Sequence, residues 1–438
     1  MLLILRLAIV FGAIVLGARM GSVAIGFAGG LGVLLLGLTG VPVTADDIPF
    51  DVIGIIMCVI AAISAMQLAG GMDYLVRLAE KFLRRNPKRI TLYAPIVTWL
   101  MTVLAGTGHT AFSTLPVIVE VAKEGKVRPS RPLSVAVIAS QMAIVASPIS
   151  AAVVFMASIL EPRGVGYLQL LAVMIPATFL AIFPTARVAN RLGKDLEDDP
   201  VYQQRLRGGL VAPPAASSED SGADKPGARA SVWVFVAAIV VVMIYATLIS
   251  DQIGLIKDPT IPRSEAIMAI MLTAAACILL ISKEKAAKVL NTQVFRSGMS
   301  ASVCVLGVAW LGTTFINHYI DGIQRIAGGV LRAQPWLLAV VLFFAACLLY
   351  SQAATAKALM PAALAIGVSP LTAVAAFPAV SALFVLPTYP TLLAAVEMDD
   401  TGSTRIGKYV FNHPFLVPGV LCISVAVALG YAIGAVVI

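Results

Sequence analysis

The fold is decided by residues 90–122, which read ITLYAPIVTWLMTVLAGTGHTAFSTLPVIVEVA. Basic residues bound this apolar stretch at both ends: Arg84, Arg85, Lys88 and Arg89 precede it, and Lys123, Lys126, Arg128 and Arg131 follow it. Because lysine and arginine collect in the cytoplasmic loops of membrane proteins, both ends are expected on the same side of the membrane. The stretch is therefore predicted to be a helical hairpin that turns within the membrane near Gly106.

The composition of the whole chain supports a membrane setting. Of its 438 residues, 59% are hydrophobic and 12% are charged, and the mean hydropathy is +0.94. A soluble domain carries about a quarter charged residues. Apolar runs such as 2–18, 52–68 and 232–249 approach the roughly 20 residues that one helix needs to cross a bilayer. These runs are continuous rather than alternating, which excludes a transmembrane barrel and predicts an all-α polytopic protein.

Charge and cysteine placement exclude several other classes of protein. The net charge of +8 is concentrated in alternate loops, so it indicates membrane orientation and not binding to nucleic acid. The cysteines lie in apolar segments without CxxC spacing, which predicts no zinc site, disulfide framework or cofactor; they are Cys58, Cys277, Cys304, Cys347 and Cys422. The first apolar segment lacks a small-residue cleavage pattern and is predicted to be retained rather than removed as a signal peptide.

The remaining loops predict the topology. Further basic loops lie at 187–229, 283–296 and 405–408, whereas the loops at 41–51, 161–165, 251–263 and 318–334 contain few basic residues. This alternation predicts a multi-pass membrane protein whose basic loops are cytoplasmic and whose N- and C-termini lie on the opposite, periplasmic side. The polar stretch 190–230 contains prolines, serines and glycines and is predicted to be a flexible cytoplasmic linker between residues 1–189 and 231–438.

The two halves are predicted to be inverted repeats. The first half has predicted helices at 2–18, 21–40 and 52–72, a hairpin at 90–122, an interrupted helix at 132–160 and a helix at 166–186. The second half repeats this order at 231–250, 264–282, 297–317, 335–366, 370–397 and 412–437. Because each hairpin returns to its own side, each half crosses the membrane about five times. An odd number of crossings gives the halves opposite directions, as in many secondary transporters.

Four stretches interrupt the predicted helices at mid-depth and carry hydroxyl groups. Irregular backbone at that depth is tolerated only where it lines a cavity or is buried in protein. Half-helices that begin there present unpaired N–H groups and the positive end of the helix dipole, which attract anions. The candidate substrate-binding residues for a dianion are Thr107, Gly108, His109, Thr110, Ser147, Ser150, Ser351, Gln352, Thr355, Pro387, Thr388, Tyr389 and Thr391.

Simpler structural explanations exist for these residues. Proline, serine and threonine also kink membrane helices without any ligand. His109 either binds a carboxylate, carries a proton or is a hydrogen-bonded packing residue. Lys357 is a candidate charge partner, because a lysine within a membrane segment is expensive, but its long stem also allows it to reach an interface.

Two incomplete motifs do not predict an enzyme or an ATP-driven pump. Residues 106–111 fit a loose GxGxxA pattern, yet no strand precedes them as a dinucleotide-binding unit requires. Residues 402–408, GSTRIGK, match GxxxxGK, but Tyr409 follows where a serine or threonine would hold magnesium. The three histidines lie in separate segments, so no catalytic triad is predicted.

Several segments together resemble a known family. They are GARMGSVAIGFAGGLGVLLLG (17–37), EKFLRRNPK (80–88), AGTGHTAFSTLPVI (105–118), ASPISAAVV (146–154), YSQAATAKALMPAALA (350–365), LPTYPTLLAAV (386–396) and DDTGSTRIGKYVFNHPF (399–415). The chain resembles the anaerobic C4-dicarboxylate transporter family, Dcu, and within it the DcuA-type branch. The resemblance runs from the first helix to the last and is loose only around residues 208–228.

The resemblance implies exchange or uptake of fumarate, malate, succinate and aspartate in anaerobically growing bacteria. It also implies an elevator-type transporter, which favours a homodimer, and Thr388 is the site residue that it most supports. The DcuB-type branch, which also modulates a dicarboxylate sensor kinase, carries an aspartate where this chain has Leu392 and a lysine where it has Cys347. Transport by alternating access is therefore favoured.

Two other functions are alternatives to transport. A co-sensor or signalling partner of a dicarboxylate-sensing kinase would alter transcription while uptake stays normal. An intramembrane enzyme would form a product from a dicarboxylate. The coupling ion is left open by the residues: unwound carbonyls could hold Na⁺, His109 could carry H⁺, and simple counter-exchange needs neither ion.

Overall fold

The chain is helical throughout its described residues, which in this computed structural model are 2–20, 23–48, 50–212, 225–249, 255–386, 389–407 and 411–438. No strand occurs among them. The α-helices are α1 Leu2–Met20, α2 Ala24–Leu38, α3 Phe50–Leu68, α4 Gly71–Arg84, α5 Ile90–Ala105, α6 Ala111–Glu124, α7 Ser130–Ile144, α8 Ala151–Leu160, α9 Tyr167–Ala189, α10 Pro200–Arg207, α11 Ala228–Leu248, α12 Arg263–Ser282, α13 Gln293–Ala333, α14 Leu337–Leu349, α15 Gln352–Ala365, α16 Pro370–Ala376, α17 Pro390–Met398 and α18 Leu416–Val437.

Several of these helices are long and apolar enough to cross a membrane. Within the described part of the chain these are five: Tyr167–Ala189, Ala228–Leu248, Arg263–Ser282, Val294–Tyr319 and Leu416–Val437. The bent pair Ile53–Leu68 and Gly71–Arg84 is long and apolar enough only when its two helices are taken together, and shorter apolar helices include Leu2–Ile14 and Gly26–Leu38. Large apolar side chains such as Trp233, Leu280 and Phe344 face outward. An apolar exterior of this kind suits lipid, and the chain is a multi-pass membrane protein.

The helices follow the predicted order, with two departures. The sequence predicted one helix over 52–72, but α3 ends at Leu68 and α4 turns away from it by 75°. Gly70 lies at this corner with φ +84°, a conformation that glycine adopts without steric cost. The helix predicted over 297–317 extends further at both ends as the 41-residue α13. Neither feature follows from the apolar runs of the sequence, because α4 and the last third of α13 contain many polar residues.

One group of helices comprises α1–α3 and α11–α13. Helix α2 packs on α13, α3 packs on α12, and α3 and α13 contact each other. Backbones approach closely where α2 crosses α13, since a Cβ added to Gly26 would lie 2.2 Å from the carbonyl oxygen of Val303. Small residues allow such close crossings between membrane helices. We call these six helices the outer group.

A second group comprises α5–α9 and α14–α18. Helix α5 packs on α7, α9 packs on α18, α8 packs on α15, and α17 packs on α6. Its core contains the fully buried side chains of Tyr167, Phe377, Phe384 and Phe415. We call these ten helices the inner group, because the four interrupted segments lie within it.

Among the described residues, two ion pairs connect the groups. Nζ of Lys357 in α15 lies 3.1 Å from Oδ1 of Asp51 in α3. Nη2 of Arg263 in α12 lies 2.9 Å from Oε2 of Glu161, which follows α8, and its guanidinium also covers the ring of Tyr167. Helices α3 and α13 contact α8 and α15, respectively.

The start of the linker is more ordered than the sequence predicted. Residues 190–230 were expected to be flexible, yet 200–207 form α10 and the chain up to Ala212 lies against the base of α6 and α7. Arg128 pairs with Asp199 there, and Lys123 pairs with Glu120 and Asp400. Burial alone would lower the pKa of Lys123, but the hydrogen bonds and charges of these two carboxylates outweigh burial and raise it above its usual value.

The remainder of the linker is only partly described. Residues 213–224 lie outside the described part of the chain, and α11 begins at Ala228 rather than near 231. Nζ of Lys225 donates to the carbonyl oxygen of Leu68 at the end of α3. Proline, serine and glycine content alone did not distinguish the docked part of 190–230 from the rest, because the docking depends on ion pairs with distant segments.

Candidate functional site

The first interruption separates α5 from α6. Gly106 ends α5 with φ +69°, and Ile149 lies so close that an added Cβ would be 2.9 Å from its Cγ1. The hydroxyl of Thr110 lies 3.0 Å from that of Thr102 and 3.2 Å from the carbonyl oxygen of Thr107. Residues Gly108–Thr110 form one short 3₁₀ turn that leads into α6. The predicted residues 107–110 therefore form the turn at the tip of the first hairpin. The side chain of His109 lies outside what the structure describes.

The second interruption separates α7 from α8, and its hydroxyls serve the backbone. Ser147 Oγ donates to the carbonyl oxygen of Val103 at 2.6 Å, joining this break to α5. Ser150 Oγ donates to the carbonyl oxygen of Ile144 at 2.6 Å and accepts from the N–H of Val153 as the N-cap of α8. Both serines satisfy backbone groups that the break would leave unpaired. In this conformation they shape the interruption, and no ligand is needed to explain them.

The third interruption separates α14 from α15. Ser351 caps α15 by accepting from the N–H of Ala354 at 3.2 Å, and Thr355 Oγ1 donates to the carbonyl oxygen of Ser351 at 2.7 Å. Gln352 is buried, and its Nε2 donates to the backbone carbonyl oxygen of Gln141 at 3.4 Å. The predicted trio Ser351, Gln352 and Thr355 therefore occupies the first turn of α15.

The fourth interruption precedes α17. The ring of Tyr389 stacks on that of Tyr350 with 6.4 Å between centroids and 16° between planes. Thr391 is buried in the first turn of α17. The candidates Pro387 and Thr388 fall outside the described residues. The stacking places the third and fourth interruptions side by side.

Gln141 joins three of these segments and was not among the predicted site residues. It lies in the last turn of α7, where its carbonyl oxygen accepts from Gln352 Nε2 and from Ser381 Oγ. Its own Nε2 lies 3.5 Å from the hydroxyl of Thr391. The available signal was a single amide side chain within the otherwise apolar and hydroxyl-bearing stretch 132–160. A polar side chain at membrane depth is expensive unless it has a role.

Lys357 does not join this set of residues. It lies beyond the first turn of α15, and its ammonium group pairs with Asp51 of the outer group. The lysine side chain is 19% exposed and the aspartate side chain is 51% exposed. Lys357 therefore stabilises a contact between the helix groups in this conformation.

The electrostatic character of the site comes from helix ends. Helices α6, α8, α15 and α17 all begin at an interruption, and they pack in crossed pairs, α8 on α15 and α6 on α17. The N-cap serines of α8 and α15 each accept from one N–H group, that of Val153 and that of Ala354, respectively. The N–H groups that precede these two in the first turn have no helical partner and can bind other acceptors. The first turns of α15 and α17 both contact Gln141, so at least these two positive helix ends lie close together, as binding of an anion with two carboxylates requires.

Comparison with known proteins assigns the chain to a family. The model of the family described as anaerobic C4-dicarboxylate membrane transporter, DcuA_DcuB, matches residues 2–438. The chain belongs to this family. Dcu family relatives include the C4-dicarboxylate transporter DcuA of Wolinella succinogenes, 59% identical over 432 residues, and that of Escherichia coli K12, 56% identical over 434 residues. Each alignment covers 99% of both chains.

The DcuB branch of the family is more distant. The anaerobic C4-dicarboxylate transporter DcuB of Escherichia coli O6:H1 is 36% identical over 444 residues, again covering 99% of each chain. The resemblance to the DcuA-type branch is thereby confirmed. These relatives are transporters and not enzymes, in agreement with the reading of the incomplete motifs.

Proposed function

We propose that this protein is a C4-dicarboxylate transporter that exchanges or takes up fumarate, malate, succinate and aspartate by alternating access. The observation that carries the proposal is that four helices beginning at interruptions pack in pairs between the two halves of the chain, α6 with α17 and α8 with α15, in a member of the Dcu family. Two carboxylates require two clusters of donors, which such helix ends supply without a buried arginine. The names of the relatives support the substrate class.

The packing supports inverted repeats spanning residues 1–189 and 231–438, joined by the linker 190–230. The pairs α2 with α13 and α3 with α12 exchange under a swap of the two halves. The same swap exchanges α8–α15 with α17–α6 and leaves α9–α18 and α3–α13 unchanged. A two-fold axis in the membrane plane has this effect, and it places the interruptions of both halves at mid-depth.

The division into two helix groups supports an elevator mechanism as part of the proposal. The inner group carries all four interruptions and moves past the outer group, which remains in the membrane as a homodimeric scaffold. A cysteine pair at positions 51 and 357 tests the motion, since cross-linking the two groups should arrest exchange and reduction should restore it. Full exchange by the cross-linked protein would contradict an elevator. The wild-type protein treated with the same cross-linker is the control for its native cysteines.

The orientation and the coupling remain part of the proposal. The basic residues around Lys123 and Arg128 support an orientation in the bacterial inner membrane with this side in the cytoplasm and both termini in the periplasm. Cysteine labelling of position 3 from either side of intact cells tests this orientation. The coupling ion is Na⁺, H⁺ or neither, and exchange in defined Na⁺ and pH gradients distinguishes them.

The decisive experiment is counter-flow in proteoliposomes. Purified protein in vesicles loaded with succinate should take up labelled fumarate or aspartate, while vesicles without protein or without internal succinate should not. A folded protein that shows no counter-flow and no net uptake of any of the four substrates would overturn the proposal. The variant Thr355→Val removes the hydroxyl contact at the start of α15 and should weaken uptake.

A further inference from the structure

The side chain of Gln141 contains an acceptor without a partner. The residue is 1% exposed, and among the described residues nothing donates a hydrogen bond to its Oε1. The other end of the amide lies against the hydroxyl of Thr391. An unpaired buried acceptor is destabilising, so such a group indicates a partner that is absent from this conformation.

Neighbouring side chains hold the backbone of Gln141 in place. The backbone carbonyl of Gln141 is fixed from two sides, by Gln352 of α15 and by Ser381, which follows α16. Three side chains from two segments of the second half, Gln352 at the start of α15 and Ser381 and Thr391 on either side of the fourth interruption, thus meet at one residue of α7. The nearest described lysine of α15, Lys357, is engaged with Asp51 and does not supply a donor.

The polarity at this point is opposite to that of the neighbouring helix ends. Gln141 lies in the last turn of α7, where the helix dipole is negative and attracts cations, whereas α15 and α17 present positive N-termini close by. A ligand that fits both polarities carries carboxylates and also a hydrogen-bond donor with positive charge. Aspartate has this combination, while succinate and fumarate carry no donor when both carboxyl groups are ionised.

We propose that Oε1 of Gln141 accepts a hydrogen bond from the α-ammonium of an amino dicarboxylate, which makes Gln141 the residue that distinguishes aspartate from succinate. The inference rests on the proposed function as a dicarboxylate transporter. The hydroxyl of malate offers a weaker, uncharged donor to the same oxygen. The carboxylates occupy the helix N-termini in every substrate, so transport itself does not depend on this bond.

The test measures the ratio of kcat/KM for labelled aspartate to that for labelled succinate in proteoliposomes. The variant Gln141→Met keeps the length of the side chain and removes the acceptor. A hydrogen bond to a charged group contributes about 1.5–3 kcal/mol, so the ratio should fall by about ten- to hundredfold. The variant Gln141→Glu adds a negative charge at the same point and should raise the ratio.

A matched control is Ser381→Ala, which removes the hydrogen bond from Ser381 to the backbone carbonyl oxygen of Gln141 but leaves the side-chain oxygen Oε1 unchanged. The aspartate-to-succinate ratio of this variant should equal that of the wild type. Equal losses for both substrates in Gln141→Met, or a ratio unmoved in Gln141→Glu, would overturn the inference. Failure of the wild type to exchange any dicarboxylate would instead overturn the proposed function. If Gln141→Met does not fold, the ratio in Gln141→Glu decides alone.

Discussion

Nζ of Lys357 lies 3.1 Å from Oδ1 of Asp51, so a charge from the inner helix group is neutralised by one from the outer group. The sequence suggested Lys357 as a charge partner for the substrate. In this conformation the ammonium group of Lys357 instead pairs with Asp51 and does not contact Gln141 or Thr391, so the lysine connects the two helix groups. Asp51 lies in the first turn of α3, although the sequence predicted it in the loop 41–51, where no apolar pattern pointed to a role.

We expect this ion pair to influence the rate of exchange rather than the affinity for substrate. Partly exposed pairs contribute about 0.2–1 kcal/mol, so Lys357→Met and Asp51→Asn should each change the exchange rate by at most about fivefold. The double variant should add nothing further, and the charge swap Asp51→Lys with Lys357→Asp should restore the rate. Kinetic measurements in proteoliposomes check this expectation. A steep rise in KM for Lys357→Met alone would instead make the lysine a substrate ligand.

Gly106 should tolerate no side chain. The substitution Gly106→Ala imposes a left-handed conformation on alanine, at a cost of roughly 1–2 kcal/mol, and pushes its Cβ against Ile149. Gly164→Ala is the matched control, because that glycine also has a positive φ but has open space around it. We expect Gly106→Ala to lower the thermal unfolding midpoint further than Gly164→Ala and to slow exchange. Equal effects would show that the contact with Ile149 is unimportant.

The ion pair between Arg128 and Asp199 predicts an acid-sensitive linker contact. Burial alone would raise the pKa of the Asp199 carboxyl, but the N–H of Val201 and the guanidinium of Arg128 outweigh burial and hold the pKa below its ordinary value of 3.8. A carboxyl with a depressed pKa in the folded state stabilises fully above about pH 4, and this stability is lost as the pH falls through the folded pKa.

Thermal unfolding in detergent at pH 7, 5 and 3 tests that contact. Asp199→Asn should lower stability by about 1–3 kcal/mol at pH 7 and 5, and the difference from wild type should shrink at pH 3. Asp195→Asn is the control, since the Asp195 side chain is 74% exposed and its pair with Arg131 should contribute little. A difference that grows on acidification would contradict the assignment.

Arg6 should be needed for the stability of the outer group and not for substrate affinity. Its guanidinium is buried, donates to both oxygens of Thr39 and to the hydroxyl of Tyr319, and contacts Nε2 of His318. Arg6→Lys cannot reproduce this planar set of bonds, so we expect the unfolding midpoint to fall while KM for dicarboxylates stays within about twofold. Arg163→Lys, at an exposed turn, serves as the control. A large rise in KM would contradict a purely structural role.

The sequence predicted the order of helices and the positions of the four interruptions because both depend on local composition. Glycine, proline and hydroxyl residues break apolar runs wherever they fall, and the breaks after Ala105, Ile144 and Leu349 confirm this. The linker contact of Lys123 with Asp400 was not predictable, because it joins residues far apart in the chain.

The site was predicted in outline but not in its details. Ser147 and Ser150 were chosen for their hydroxyls, yet the structure uses those hydroxyls on the carbonyl oxygens of Val103 and Ile144. Gln141 was missed because no proline or glycine marks it, and its significance lies in an oxygen atom left without a partner. Composition locates irregular backbone, whereas hydrogen-bond accounting is needed to decide which side chains remain available.

Tyr350 ends α14 with φ +53°, in a conformation where glycine would cost less. Replacing it with glycine would relieve the backbone and remove the ring that stacks on Tyr389. The ring contact with Tyr389 therefore accompanies a backbone conformation that is less favourable for tyrosine than for glycine. Related transporters should carry aromatic residues at position 350 and seldom glycine. A laboratory selection for thermal stability alone should instead favour glycine at this position.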